Sequence, residues 1–481
     1  MSVRVAAGIA SLLCIAAAAS ADAATRAKPR HVQAASRVVL QAESLDWPAG
    51  AGRTYGRGRA ALGFVATAGR LGRTVVRTTR PLTGVGVRVR STQSGRLCAY
   101  EPAVTLRIDG VERLSQPVAP GTGYATPVAD VDIPPGNHTV EVGLAHDELP
   151  TCRTALWIDN ATLVASSVFS PDGWRNAPLP ADAPLAPDQT AALGLRSQVT
   201  SFGTWVSTTA WSSPLYVVPA NQPRVTVGLD TRYTRYGLLD TAFLRGDMSS
   251  VPLPDDAVPS GPPQTGNVTW SDKELIVYQP ATDTAWELYH AVHWDSRWTV
   301  TDGGKISDIS EKDGRYDRWP TGKPHGMTGS GIPLLAGLQT VAELQNGSID
   351  HAVGVSIPHV RKGGLRSPAT RTDGDFTTWD AVPEGARFRL PADLDVDALP
   401  LTPYAKMVAR AIQRYGMVVI DKNCRPTDTA RCSSVTFKAE DPRPVPDASH
   451  PDPYNAIFGG VARNHLFDNF PWDRLQLLAE E

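Results

Sequence analysis

The stretch GVGVRVRS, residues 84–91, places Val85, Val87 and Val89 at every second position. That spacing is the period of a strand with one face in a core. The same alternation returns in HTVEVGLAH (138–146), through Val140, Val142 and Leu144. Around these lie VVLQAES (38–44), AVTLRIDG (103–110), PVADVDIP (127–134) and ALWIDNATLV (155–164), parted by turn signals such as Asp109-Gly110 and Pro134-Pro135-Gly136-Asn137. Short alternating strands bounded by turns predict an all-β sandwich over residues 38–166.

Upstream, residues 1–24 read as a secretory signal. Arg4 supplies the positive end, Val5 to Ala19 is mostly apolar, and Ala19-Ser20-Ala21 and Ala21-Asp22-Ala23 offer small residues for cleavage. The apolar run falls short of the ~20 residues that a membrane span needs. The expectation is a secreted protein, extracellular or periplasmic, monomeric, with no membrane attachment once the signal is removed. The 481 residues are 42% hydrophobic and carry a net charge of -2, which excludes a disordered chain. A pI near 6.6, without basic blocks, argues against a nucleic-acid partner. Beyond the signal, Cys98, Cys152, Cys424 and Cys432 remain. An even number in an exported chain predicts disulfides, and Cys98–Cys152 with Cys424–Cys432 keeps each pair within one domain.

Ser167 to Gln189 is rich in Pro, Ala and Asp and reads as a linker or an extended crossing strap. Residues 169–481 then form a larger β-rich, sandwich-like domain with one or two helices. Its strand-like segments include TWVSTTAW (204–211), ELIVYQP (274–280), AWELYHAVHW (285–294), HAVGVSIP (351–358) and MVVID (417–421). Thr340 with Glu343 is a capping-box pattern that opens a short helix stopping at Gly347. A second helix runs from Pro403 to Tyr415, with Thr402 as cap and Gly416 after its end. The sequence contains no phosphate-binding loop, dinucleotide fingerprint, zinc-protease helix or serine-hydrolase elbow.

Together VVLQAES, CAYEPAVTLRIDG (98–110), GNHTVEVGLAHDE (136–148) and CRTALWIDNATLV (152–164) resemble carbohydrate-binding modules of the calcium-assisted, xylan-binding jelly-roll type. The resemblance implies a cysteine bridge between strands, a polysaccharide or cell-wall glycan as partner, and Ca2+ held by loop carboxylates at Asp147 and Glu148. The acidic residue that the family carries just after its second cysteine is Arg153 here. Asp147 and Glu148 also suit a solvated turn, and Glu43 either an ion ligand or a surface charge. Trp157 reads as an outward sugar platform or a half-buried sandwich residue.

Candidate chemistry concentrates between Thr284 and Gly374, where Glu287, His325, Ser330, His351 and Asp373 interrupt apolar runs. Alternation puts Glu287, Tyr289, Ala291 and His293 on one strand face, with Trp286, Leu288 and His290 on the other. His325 lies in the small-residue loop KPHGMTGSG, and Asp421 ends the strand MVVID. Glu287 with Asp373 or Asp421 would give the two carboxyls of a glycoside hydrolase. His325, His351 and Tyr289 with Arg371 would serve a polysaccharide lyase instead. Trp286, Tyr289, Trp294, Arg371 and Trp157 are candidates for contact with sugar. Hydrolysis of a polysaccharide is the expected function; lyase chemistry and non-catalytic glycan binding or adhesion are the alternatives.

Overall fold

In the computed structural model the chain divides into two compact units, Met1–Ser166 and Ser167–Glu481. The structure describes residues 30–31, 37–47, 52–55, 62–65, 71–78, 81–94, 102–121, 123–144, 153–165, 168–209, 211–230, 241–261, 271–317, 325–424, 426–427, 432–442 and 451–480. The signal-like segment, Cys98, Cys152, Asp147 and Glu148 lie outside the described residues. Among the described residues no helix is long and apolar enough to cross a membrane.

Two sheets enclose the core of the first unit. One runs in the order Arg30–His31, Gly72–Thr78, Gly136–Leu144, Ala103–Ile108, Val111–Pro117. The other runs Arg37–Gln41, Arg153–Ala165, Leu82–Ser94, Val128–Ile133. Val85, Val87, Val89, Val140, Val142, Leu156 and Ile158 are fully buried in one cluster with Val104, Leu106 and Ile108. The alternating residues therefore fill the space between the sheets, as a sandwich requires. Asp109 and Gly110 turn the 103–117 hairpin with φ of 53° and 77°. Positive φ at both positions of a two-residue turn is what an Asp-Gly pair supplies.

The second unit is layered. A mixed six-stranded sheet has the order Thr204–Ser207, Val435–Lys438, Val353–Ile357, Met417–Lys422, Arg387–Arg389, Gln476–Leu477. Along Met417–Lys422, Met417 and Val419 point into a core shared with the helices Thr190–Phe202 and Pro403–Arg414. Val418 and Ile420 point the other way, into a core shared with a four-stranded sheet, Leu215–Val217, Leu275–Gln279, Thr284–Tyr289, Asp302–Ser307. The far face of that second sheet, through Leu275, Val277, Trp286 and Leu288, packs on Leu244 of the helix Thr241–Asp247 and on Trp298 and Val300 of a three-stranded sheet. The β-rich, sandwich-like reading thus describes the two facing sheets, with helices added outside.

Both helices expected from the sequence are present. Thr340 accepts from the Glu343 amide ahead of Val341–Asn346, and Thr402 accepts from the Ala405 amide ahead of Pro403–Arg414. Tyr404, Val408, Ala411 and Ile412 of the latter are buried. The helix Thr190–Phe202 was not expected, since Gly194 at its middle weakens the local preference. The glycine is required there: a Cβ would stand 2.7 Å from the Asp380 carbonyl oxygen. Residues 168–189 form a strap rather than a free linker. The amides of Leu179 and Ala186 donate to the carbonyls of Arg414 and Leu477, and the Gln189 side chain bonds both ways with Leu477. Cys424 and Cys432 are disulfide-bonded, and Cys424 packs with Phe376 and Ala381.

Phe437 is fully buried in the six-stranded sheet and stacks on Phe467 with ring centroids 4.4 Å apart. Phe437→Ala should therefore cost about 3–5 kcal/mol, read as a lowered midpoint in urea unfolding followed by circular dichroism.

Candidate functional site

The site lies where the four-stranded sheet faces the end of the six-stranded one. Backbone pairing sets Glu287 opposite Ile276 and Gly304, and Tyr289 opposite Asp302. The period of two then puts Glu287, Tyr289 and Asp302 on the face that carries Ile276 and Ile306. Glu274 precedes Leu275, the partner of Leu288, and so stands beside Tyr289 on that face.

Glu287 is fully buried. Its Oε1 accepts from the Leu335 amide at 2.8 Å, and its Oε2 from the Leu334 amide at 3.1 Å and from the Tyr316 hydroxyl. Burial pushes its pKa up to about 7, although all three bonds oppose the rise. Both oxygens are thus committed to holding residues 325–335 against the sheet. Tyr316, its partner, has the His325 ring 5.1 Å away, so His325 flanks this anchor. Arg371 clamps the same loop: Nε donates to the Thr328 carbonyl at 3.1 Å, Nη2 to the Gly326 carbonyl at 2.8 Å, and Nη1 lies 3.6 Å from Asp302. Its fork faces inward, toward the loop carbonyls and Asp302.

Across the loop, three elements bring carboxyls together. Asp373, Glu384 at the end of Val382–Glu384, and Asp421 in Met417–Lys422 each offer one oxygen, all within 4.8 Å of one another. Asp421 Oδ1 accepts from the Gly329 amide at 2.9 Å, and Glu384 Oε2 from the Asp373 amide at 3.2 Å. Glu384 Oε1 and Asp373 Oδ1 are buried without a hydrogen-bond partner. Gly329 makes room for both: a Cβ there would lie 2.6 Å from the Asp373 oxygen and 2.7 Å from the Glu384 oxygen. Burial, then the charges of Asp373 and Asp421, push Glu384 up to about 8. Burial lifts Asp421 to about 6 against the pull of Lys438.

The cluster continues onto the facing sheet. The Tyr289 hydroxyl donates to Asp272 at 3.2 Å, and burial, then the carboxyls of Asp272, Asp421 and Glu274, raise its pKa. Glu274 is buried, with Oε2 unpartnered, and is pushed up to about 8 by burial against the opposing charge of Lys438. Carboxyls that keep a proton at neutral pH beside others that lose it can do acid–base work.

Asp373 and Asp421 therefore meet, Tyr289 lies on the facing sheet with its hydroxyl on Asp272, and His325 flanks the Tyr316 anchor. Glu384, Glu274, Asp272 and Asp302 were not singled out from the sequence. The signal available was adjacent carboxyls just ahead of an apolar run, in SDKELIV (271–277). His351 lies apart from the cluster. Its Nδ1 meets the Ala352 carbonyl at 2.8 Å and its Nε2 the Glu343 carboxylate at 3.1 Å, in the wall of a separate cavity of about 430 Å³ lined also by Arg175, Asn176 and Asp350. Ser330 is buried and serves its own loop, accepting from the Ile332 amide. Trp286 is 3% exposed, lies in the core beyond the sheet and donates to the Asp247 carbonyl, so it is no sugar platform. His290 has φ of 49° and breaks the strand alternation; Ala291 consequently joins the Trp286 core and His293 stacks on Trp298. Trp294 is 77% exposed, on the three-stranded sheet rather than the sheet of the cluster. In the first unit Trp157 is half-buried, with the Arg90 guanidinium 5.0 Å from its ring.

No family model matches the chain, and no curated protein matches it. Solved structures similar to part of it include carbohydrate-binding modules. One is the CBM36-1 domain of a multidomain xylanase from the hindgut metagenome of Trinervitermes trinervoides, at 16% identity and TM-score 0.23, covering 27% of this chain and 99% of that one. Another is the carbohydrate-binding module CBM36 in complex with calcium and xylotriose, at 15% identity and TM-score 0.21, covering 26% and 97%. A family 6 module from Clostridium cellulolyticum in complex with xylose matches at 19% identity and TM-score 0.22, covering 26% and 95%.

Glu287 makes a testable contribution to stability. Its folded pKa, about 7, lies above the ordinary 4.5, so the fold gains from its proton below pH 4.5 and loses that gain as pH rises through 7. The full difference is about 3 kcal/mol. In urea unfolding at pH 4.5 and pH 8, Glu287→Gln should flatten the fall in stability relative to the unmodified protein by an amount of that order.

Proposed function

We propose that this chain is an exported glycan-active protein whose first unit binds polysaccharide and whose second unit hydrolyses a glycosidic bond at the carboxyl cluster around Tyr289 and Gly329. The observation that carries the reading is the meeting of Asp373, Glu384 and Asp421 from three separate elements, with oxygens within 4.8 Å. Lys422 pairs with Asp375 at 3.1 Å and with Asp373 at 3.7 Å, one cation for the several carboxyls gathered there.

Glycoside hydrolysis needs one carboxyl that gives a proton to the leaving oxygen and one carboxylate that supports attack at the sugar carbon. Glu274, which burial keeps protonated at neutral pH, is assigned as the donor. Asp421, half-buried and oriented by the Gly329 amide, is the carboxylate. Tyr289 and Asp272 hold the wall between them. Lyase chemistry is the weaker reading, because Arg371, which would neutralise a uronic acid, is bonded to loop carbonyls. For the first unit, the support is that the segments resembling sugar-binding modules supply the strands of a two-sheet sandwich. Calcium there, at Asp147 and Glu148, remains part of the proposal.

On a panel of neutral and uronic-acid polysaccharides, the protein should release new reducing ends without the ultraviolet absorbance of unsaturated sugar. Glu274→Gln and Asp421→Asn should each lower kcat by about 10²-fold or more while retention on the polysaccharide is unchanged. Unsaturated product would replace hydrolysis by elimination, and retention without any cleavage would leave a binding protein.

A further inference from the structure

Three carboxyls held within 4.8 Å repel one another unless something positive lies between them. Lys422 Nζ lies 3.7 Å from Asp373 Oδ2 and shares its single charge with other acceptors. Lys422 Nζ donates to the Asp373 carbonyl at 2.5 Å and pairs with Asp375, and Lys438 Nζ donates to the Trp211 carbonyl at 2.6 Å. Glu384 is fully buried, and its Oε1, aimed into the gap with Asp373 Oδ1, has no hydrogen-bond partner. Leaving such an oxygen bare is costly. The gap itself is kept open by Gly329, where a methyl group would stand against both bare oxygens. The donors are all oxygen, the set that hard divalent cations prefer.

We infer that the gap between Asp373, Glu384 and Asp421 is a binding site for a divalent cation, calcium above all. One oxygen from each carboxyl supplies part of the shell, and water and substrate hydroxyls complete it on the side where Asp373 and Asp421 are half-exposed. The cation would hold Asp421 in the ionised form. The inference stands on this geometry and does not depend on hydrolysis.

The test is calorimetric titration of calcium chloride into the full chain after stripping with chelator and dialysis. A saturable site is expected that persists in the Asp147→Asn/Glu148→Gln double variant, which removes the carboxylates proposed to hold calcium in the first unit. It should weaken at least tenfold in Glu384→Gln, in Asp373→Asn and in Gly329→Ala, whose added methyl fills the gap. If Glu384→Gln does not fold, Asp373→Asn, on a half-exposed loop, decides the matter. Absence of saturable binding overturns the site. Binding abolished by the double variant and untouched by Asp373→Asn and Gly329→Ala overturns it equally. Calcium binding without cleavage of any glycan sinks the hydrolytic reading and leaves the cation site standing; cleavage without calcium binding does the reverse.

Discussion

The second unit depends on one buried carboxylate. Glu287 gathers two successive amides, Leu334 and Leu335, and the Tyr316 hydroxyl, in the core between two facing sheets. Isolated charge in such a place is unfavourable by several kcal/mol, and an unpaired amide by a smaller but similar amount. Each satisfies the other only when residues 325–335 are seated. The Arg371 clamp on the carbonyls of Gly326 and Thr328 closes the same loop from its other side. Gly329 is thereby fixed between its two neighbouring acids.

That loop explains why so many carboxyls can face one another. Burial raises the pKa of Glu384 and Glu274 to about 8, so each can shed its charge at neutral pH instead of repelling its neighbours. The arrangement opposes packing alone, since apolar residues of like volume would fill the space at lower cost. Strain between like groups at a single place in a well-packed unit is characteristic of sites built for ligands.

Much of the framework was legible from residue periodicity. Val85, Val87 and Val89 reported the sandwich core, and Thr402-Pro403 with Gly416 reported the helix Pro403–Arg414. Alternation also placed Glu287 and Tyr289 on one face correctly. It failed past Tyr289 because His290 adopts a left-handed conformation that local sequence does not announce. Trp286 was misjudged because alternation separates two faces without saying that both are buried. The site was less legible still. Nothing local marked Glu384, and only the meeting of distant segments brings it to Asp421. His351 drew attention as a polar residue at the start of an apolar strand, yet its partners are local: the carbonyl of the next residue, Ala352, and Glu343 on the short helix just before it.

The strap described above ties residue 189 to residue 477, with a sequence separation of 288. The neighbouring amide of Ala479 also donates to the Pro184 carbonyl. Bringing such distant segments together carries a loop-closure entropy that local contacts cannot offset early. The edge of the six-stranded sheet therefore cannot be completed on a ribosome that has still to make Leu477. The strand Gln476–Leu477 and the strap it holds thus join the sheet after the segments that carry Glu384 and Asp421 have been made.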